Sequence, residues 1–420
     1  MRPEDRQGSG HTPPRGWPPR FVSSPADRDA LLVLAHLDGI TPRRFHALAW
    51  EQGSARRCLA AVRRGRAGSS VDRERAEGLS AEAVRAILAR VRASQACPGD
   101  EAYPPQLLDL PDPPACLFVV GGTPAAAPPA VAIVGARRCS MYGREVAEGL
   151  GQGLAAAGLT VVSGAALGID AAAHRGALSS GGLPWATDET CPQREPAWFP
   201  TMAVLGSGID VFHPWSNRGL IERIAAAGAV LSEYPPGTPA LPWRFPARNR
   251  LVAGVSRAVV VVEGAPGSGS MITAEFALDL GREVFAVPGP VTSPLSAVPN
   301  QLIREGASLA RGAEDVLEVL GVEAAGHGSA RPDRGSASEP APWPAVSLPP
   351  AERSALEAVA GHPVTVDAVA GDSGLPVGEA LSALVALELR GLVREVAGRY
   401  ERTQAAAADR PTRNRRVLGS

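Results

Sequence analysis

The stretch VAIVGARRCSMYG, residues 131–143, runs a short apolar segment into a glycine, two arginines and the start of a helix. Apolar runs of this length, rich in β-branched side chains, read as buried strands. A strand that ends in a glycine turn before a helix offers an anion both backbone N–H groups and the positive end of the helix dipole. Gly135 lets the backbone come close to a ligand. Arg137 adds a planar fork that can donate two parallel hydrogen bonds to a phosphate. A glycine needed only for the turn is the plain alternative for Gly135, and the neighbouring Arg137 favours the anion. No complete G-x-G-x-x-G is present, which argues against a dinucleotide while leaving Rossmann topology in place.

The same grammar recurs downstream. VVSGAALGID at 161–170 puts Ser163 and Gly164 at a strand end, with the Ser163 hydroxyl as a phosphate donor. Asp170 is expected to accept from free N–H groups at a helix start rather than to act as a catalytic acid. His174 is expected to be a satisfied structural histidine. AVLGSGID at 203–210 supplies Gly206 and Gly208 after a third strand, followed by His213, Pro214 and Asn217. FPARNR at 245–250 places Arg248, Asn249 and Arg250 in one short span. Two such cations are costly to bury without an anion. The partner is either a phosphate, preferred for at least one of them, or a carboxylate such as Glu233 or Glu263. EGAPGSGS at 263–270 adds Ser268 and Gly269 before another helix. Phe245 and Tyr142 are either stacking faces for bases or core residues. Together these turns predict an extended anion groove at the carboxyl edge of a parallel sheet, suited to a polymer with spaced phosphates.

Composition narrows the chemistry. All 42 basic residues among the 420 are arginine, so a P-loop lysine or a Schiff-base lysine is excluded. The net charge is −1 and alone favours no partner. The five cysteines, Cys58, Cys97, Cys116, Cys139 and Cys191, have no C-x-x-C spacing, so neither a metal site nor a disulfide framework is expected. No cofactor is expected either. The apolar runs are too short for a membrane span of ~20 residues, and no signal-peptide pattern opens the chain. Cytoplasmic location is the expectation.

The organisation expected is α/β, a Rossmann-like, mostly parallel sheet core between two small domains. Residues 1–25 read as a disordered tail. Residues 26–98 read as a helical module of the SAM or helix-hairpin-helix type. It carries 13 Arg against 8 Asp/Glu, either as a nucleic-acid accessory or as a solvated basic surface. Residues 103–121 are a proline-punctuated connector, and the core runs over 103–321 with an insertion at 183–201. Residues 322–345 read as a linker, 346–402 as a winged-helix-like domain and 403–420 as a second tail. That last domain carries 8 acidic residues against 5 Arg, which favours a protein contact over duplex binding.

Taken in order, VAIVGARR…YG, VVSGAALGIDAAAH, AVLGSGID, SEYPPG, FPARNRLVAG, VVVEG…SGSMITA and VFAVPGPV resemble the core of the DprA/Smf family. The resemblance covers about 103–321. It implies single-stranded-DNA binding without catalysis, dimerisation through the core, and loading of a RecA-type recombinase in natural transformation. Its groove maps onto Gly135, Arg137, Ser163, Gly164, Arg248, Asn249, Arg250, Ser268 and Gly269. The chain departs from the family pattern at Ala136, where serine is usual, and at Ala165 and Leu167, where an arginine of the motif is lost. The insertion is also unusual. Two other readings compete. One is a nucleotide-processing enzyme similar to phosphoribohydrolases, which needs two of Asp170, Glu263 and Glu275 in one pocket. The other is a scaffold that has lost its ligand.

Overall fold

The computed structural model describes residues 14–127, 129–180, 199–322, 348–359, 363–390, 392–396 and 398–402. Five short helices come first: α1 (Pro25–Leu34), α2 (Pro42–Gln52), α3 (Ala55–Arg63), α4 (Ser70–Gly78) and α5 (Ala81–Arg90). Side chains of Ser24, Thr41, Ser54, Ser69 and Ser80 cap their N-termini, which is why short helices with few apolar residues hold. Residues 14–25 do not behave as the tail expected there. Trp17 stacks on Phe21 at 4.7 Å, and Phe21 is buried in the helical core. The remainder of that tail, most of the insertion (183–198), the linker and the C-terminal tail lie outside the described residues.

Among the described residues, the core is a nine-stranded sheet. In chain order it comprises β1 (Ser94–Ala96), β2 (Leu117–Gly121), β3 (Ala130–Val134), α6 (Met141–Ala156), β4 (Thr160–Ser163), α7 (Ile169–Ser179), β5 (Thr201–Leu205), α8 (Arg218–Ala227) and β6 (Ala229–Ser232). Then follow α9 (Arg244–Gly254), β7 (Ala258–Val261), α10 (Gly269–Asp279), β8 (Glu283–Ala286), α11 (Ala297–Arg304), β9 (Ser308–Leu309) and α12 (Ala313–Leu320). The strand order is β1-β2-β6-β5-β4-β3-β7-β8-β9, parallel from β6 to β9. β1 and β2 extend it antiparallel, Phe118 pairing with Ser232. Two segments thus add strands where none was expected. Ser94–Ala96 falls in the span expected to be helical, and LFVVG in the proline-punctuated connector that opens the core. Thr201, counted with the insertion, opens β5.

Alternation along β3 shows why its run is apolar throughout. Val131 and Ile133 pack with α6, α7 and α12, whereas Ala132 and Val134 pack with α9, α10 and α11. A parallel sheet covered on both faces needs this pattern. The connection order reverses at β3 and β7. The chain steps from β3 outward through β4, β5 and β6, then returns to β7 on the other side and moves away through β8. Ligands of open α/β sheets bind beyond the strand ends at such a switch point.

The second unit is described by itself. α13 (Pro350–Ala358), α14 (Val366–Ser373) and α15 (Val377–Leu389) precede the hairpin β10 (Val393–Val396) and β11 (Arg399–Arg402), the three-helix-plus-wing arrangement expected. Ala380, Leu384, Leu387, Val369 and Tyr400 form its core. Among the described residues, no helix is long and apolar enough to cross a membrane.

Candidate nucleic-acid interface

A cleft of about 590 Å³ opens at the switch point. It gathers Gly135 and Arg137 from the end of β3, Gly164 from the end of β4, Asp170 from the first turn of α7, Arg248 and Asn249 from α9, and Ser268 and Gly269 from the start of α10. Four segments spread along the chain from Gly135 to Gly269 therefore meet in one place.

Arg137 is exposed, and its guanidinium lies over the Phe245 ring, 5.1 Å from the centroid. That contact holds a flexible side chain at the cleft mouth and is worth about 0.5–1 kcal/mol at an exposed site. Arg248 sits deeper and is 5% exposed. It donates to the Val204 carbonyl and rests against Gly164. Burial lowers its pKa, and the nearby Asp170 charge opposes that shift. Asn249 is a brace: its amide donates to the Gly269 carbonyl at 3.0 Å and ties α9 to the first turn of α10. The Ser268 and Ser270 hydroxyls share a hydrogen bond at 2.7 Å beside the α10 N-terminus, where amides and dipole favour an anion.

Several expectations need correcting. Ser163 is fully buried and donates its hydroxyl to the Ile133 carbonyl at 2.6 Å, so it fastens β4 to β3 beneath the cleft. Gly164 lines the cleft, but its N–H already donates to Asp170 at 3.1 Å. It supplies room for Arg248 rather than a hydrogen bond. Gly135 likewise makes space: a Cβ there would stand 2.7 Å from Ile169 Cγ1 and 2.8 Å from the Glu263 carbonyl oxygen. Arg250 does not reach the cleft. It is buried beside Glu233 (2.7 and 2.9 Å) and Asp112 (3.3 Å), and the two carboxylates hold its pKa well up. Gly206 and Gly208 pack against Phe245 and the Pro235–Thr238 turn instead of lining the cleft. Tyr142 donates its hydroxyl to the Pro288 carbonyl and lies outside the cleft lining.

The carboxylates do not converge. Asp170 lines the cleft, bound to the 164–166 turn, with burial raising its pKa against the pull of Arg248. Glu263 accepts from the Ser140 amide and hydroxyl and so secures the start of α6. Glu275 is exposed on α10, outside the lining. His174 is buried against Thr201 as a structural histidine. Sequence reasoning missed the work of Asn217, whose amide donates to the Ala165 and Ala166 carbonyls and pins the turn carrying Gly164. Ala165 holds the left-handed conformation there, φ +53°.

A family model described as DNA recombination-mediator protein A matches residues 94–321, and one for the DprA winged helix domain matches 339–399. A Mycobacterium tuberculosis relative carrying the DprA name is 42% identical over 285 residues, 67% of this chain but only 66% of that relative's length. Protein Smf of Escherichia coli is 38% identical over 320 residues, covering 74% of this chain and 78% of Smf. The X-ray structure of DprA from Streptococcus pneumoniae superposes with a TM-score of 0.56 at 33% identity, over 70% of this chain and 95% of that one.

Proposed function

The chain belongs to the DNA recombination-mediator protein A family, and from that premise we propose that its cleft holds the backbone of single-stranded DNA. The observation that supports this most is the meeting of Arg137, Arg248 and the Ser268–Gly269 helix start in one cleft at the sheet's switch point. Guanidinium groups at two depths and a helix N-terminus suit successive phosphates. In the same reading the protein pairs with a second copy through its core and delivers the strand to a RecA-type recombinase during natural transformation. It acts in the cytoplasm and catalyses no reaction. The groove residues of this reading are Gly135, Arg137, Gly164, Arg248, Asn249, Ser268 and Gly269. Ser163 and Arg250 serve the scaffold behind them.

A mobility-shift titration with labelled oligothymidylate across a salt series tests it. Affinity falls steeply with salt, and Arg137→Ala both weakens binding and lowers the log–log salt slope by about one contact. Binding that ignores salt, or an Arg137→Ala variant equal to wild type, would remove the cleft from the account.

A further inference from the structure

His213 lines the cleft, and its ring lies 5.2 Å from that of Phe245. The chain then leaves the cleft toward Trp215. Phe212 and Trp215 have ring centroids 6.4 Å apart, and the Arg218 guanidinium covers both, 5.8 Å and 5.0 Å from the two centroids. Glu222, one turn along α8, accepts from Arg218 Nε at 2.7 Å and holds the guanidinium in place. Trp215 nevertheless remains 67% exposed. With one guanidinium held against it, the indole leaves ring surface open to stack on another π face.

The geometry points to a stacking platform in which Trp215, backed by Phe212 and Arg218, receives bases of a single strand as it leaves the cleft. This rests on the single-strand reading of the cleft and extends it. The cleft has the volume of a site for one drug-sized molecule, so a longer strand must continue over the surface. With phosphates held by Arg137 and Arg248, the bases that follow need π faces. Every base has one, so an indole serves without regard to sequence. The His213 and Phe245 rings lie 5.2 Å apart at the cleft, and His213 follows Phe212 directly in the chain, so aromatic faces stand at both ends of the short step from cleft to platform.

The test uses the full chain and fluorescence anisotropy with oligothymidylates of about 5 and about 20 nucleotides, bracketing usual single-strand site sizes. Trp215→Ala weakens binding of the longer strand about 5- to 10-fold and leaves the shorter one within about two-fold, while Trp215→Phe retains most of the affinity. Arg137→Ala weakens both. If Trp215→Ala binds the longer strand as wild type does while Arg137→Ala is impaired, the platform is wrong and the cleft stands. Trp215 would then serve a protein partner instead. If wild type binds neither strand, the cleft reading fails and the platform with it.

Discussion

The guanidinium of Arg248 lies so close to the backbone of Gly164 that a Cβ on that glycine would stand 2.3 Å from both Nη atoms. Arg248 comes from α9 and Gly164 from the turn after β4, so this contact closes the cleft floor between two elements that sequence order keeps apart. The Val204 carbonyl at the end of β5 accepts from the same guanidinium. A cation held in this way is pre-positioned for a phosphate, and little ordering is left to be done on binding.

Gly164→Ala therefore has a specific consequence. The methyl group forces the Arg248 guanidinium away, and overpacking of a buried contact costs about 1–3 kcal/mol. Urea unfolding should show a loss of that size. Single-strand affinity should fall about ten-fold, the worth of one charged hydrogen bond. Unchanged affinity would mean that the position of Arg248 does not matter for binding.

Arg250 behaves in the opposite way. Arg250→Met leaves Glu233 buried without its cation, a change that costs about 3–5 kcal/mol. The folded fraction should bind DNA with the wild-type salt slope. A slope reduced by about one would place Arg250 on a phosphate after all.

Much of this was legible in the sequence. The strand runs at 131–134 and 160–163 and the glycine turns after them pointed to a crevice at the sheet's carboxyl edge, because buried parallel strands must be apolar on both faces; that the crevice sits at the switch point follows only from the strand order. The separate destinations of Arg248 and Arg250 were not legible from FPARNR as one short span. Once it lies in α9, residues two apart face different sides, so one arginine points into the cleft and the other into the scaffold. Ser163 misled because a hydroxyl at a strand end looks like a ligand donor, yet a neighbouring strand can use it equally well. LFVVG was hidden by the prolines before it, and Trp17 and Phe21 by the arginine- and proline-rich residues around them. The contacts that order these segments, LFVVG on β6 and Trp17 and Phe21 on Phe45, join parts of the chain far apart in sequence and have no local signature.

Acid stability tests the burial of His174. Its Nδ1 lies 2.7 Å from Thr201 Oγ1, and burial holds its pKa down at about 3. The unfolded chain titrates near 6.5. Above that pH both states are neutral. Below it only the unfolded chain takes up the proton, so stability is lost as pH falls from about 6.5 toward 3, by up to about 2 kcal/mol between pH 6.5 and 5. His36 shifts in the same direction through burial. Urea midpoints across this range should fall for wild type and fall less for His174→Leu. Equal slopes would contradict the assignment.

Phe245 supports Arg137 without carrying charge. Phe245→Leu should lower single-strand affinity a few-fold, matching the loss of about 0.5–1 kcal/mol from the cation–π contact, and leave the salt slope unchanged. A reduced slope would show that Arg137 itself had left the bound strand.

A co-crystal with a short oligothymidylate tests the central claim most directly. The account places phosphates within hydrogen-bond distance of Arg137, Arg248 and the Ser268–Gly269 turn. A strand bound instead to the N-terminal helices or to the C-terminal wing, with the cleft unfilled, would contradict it.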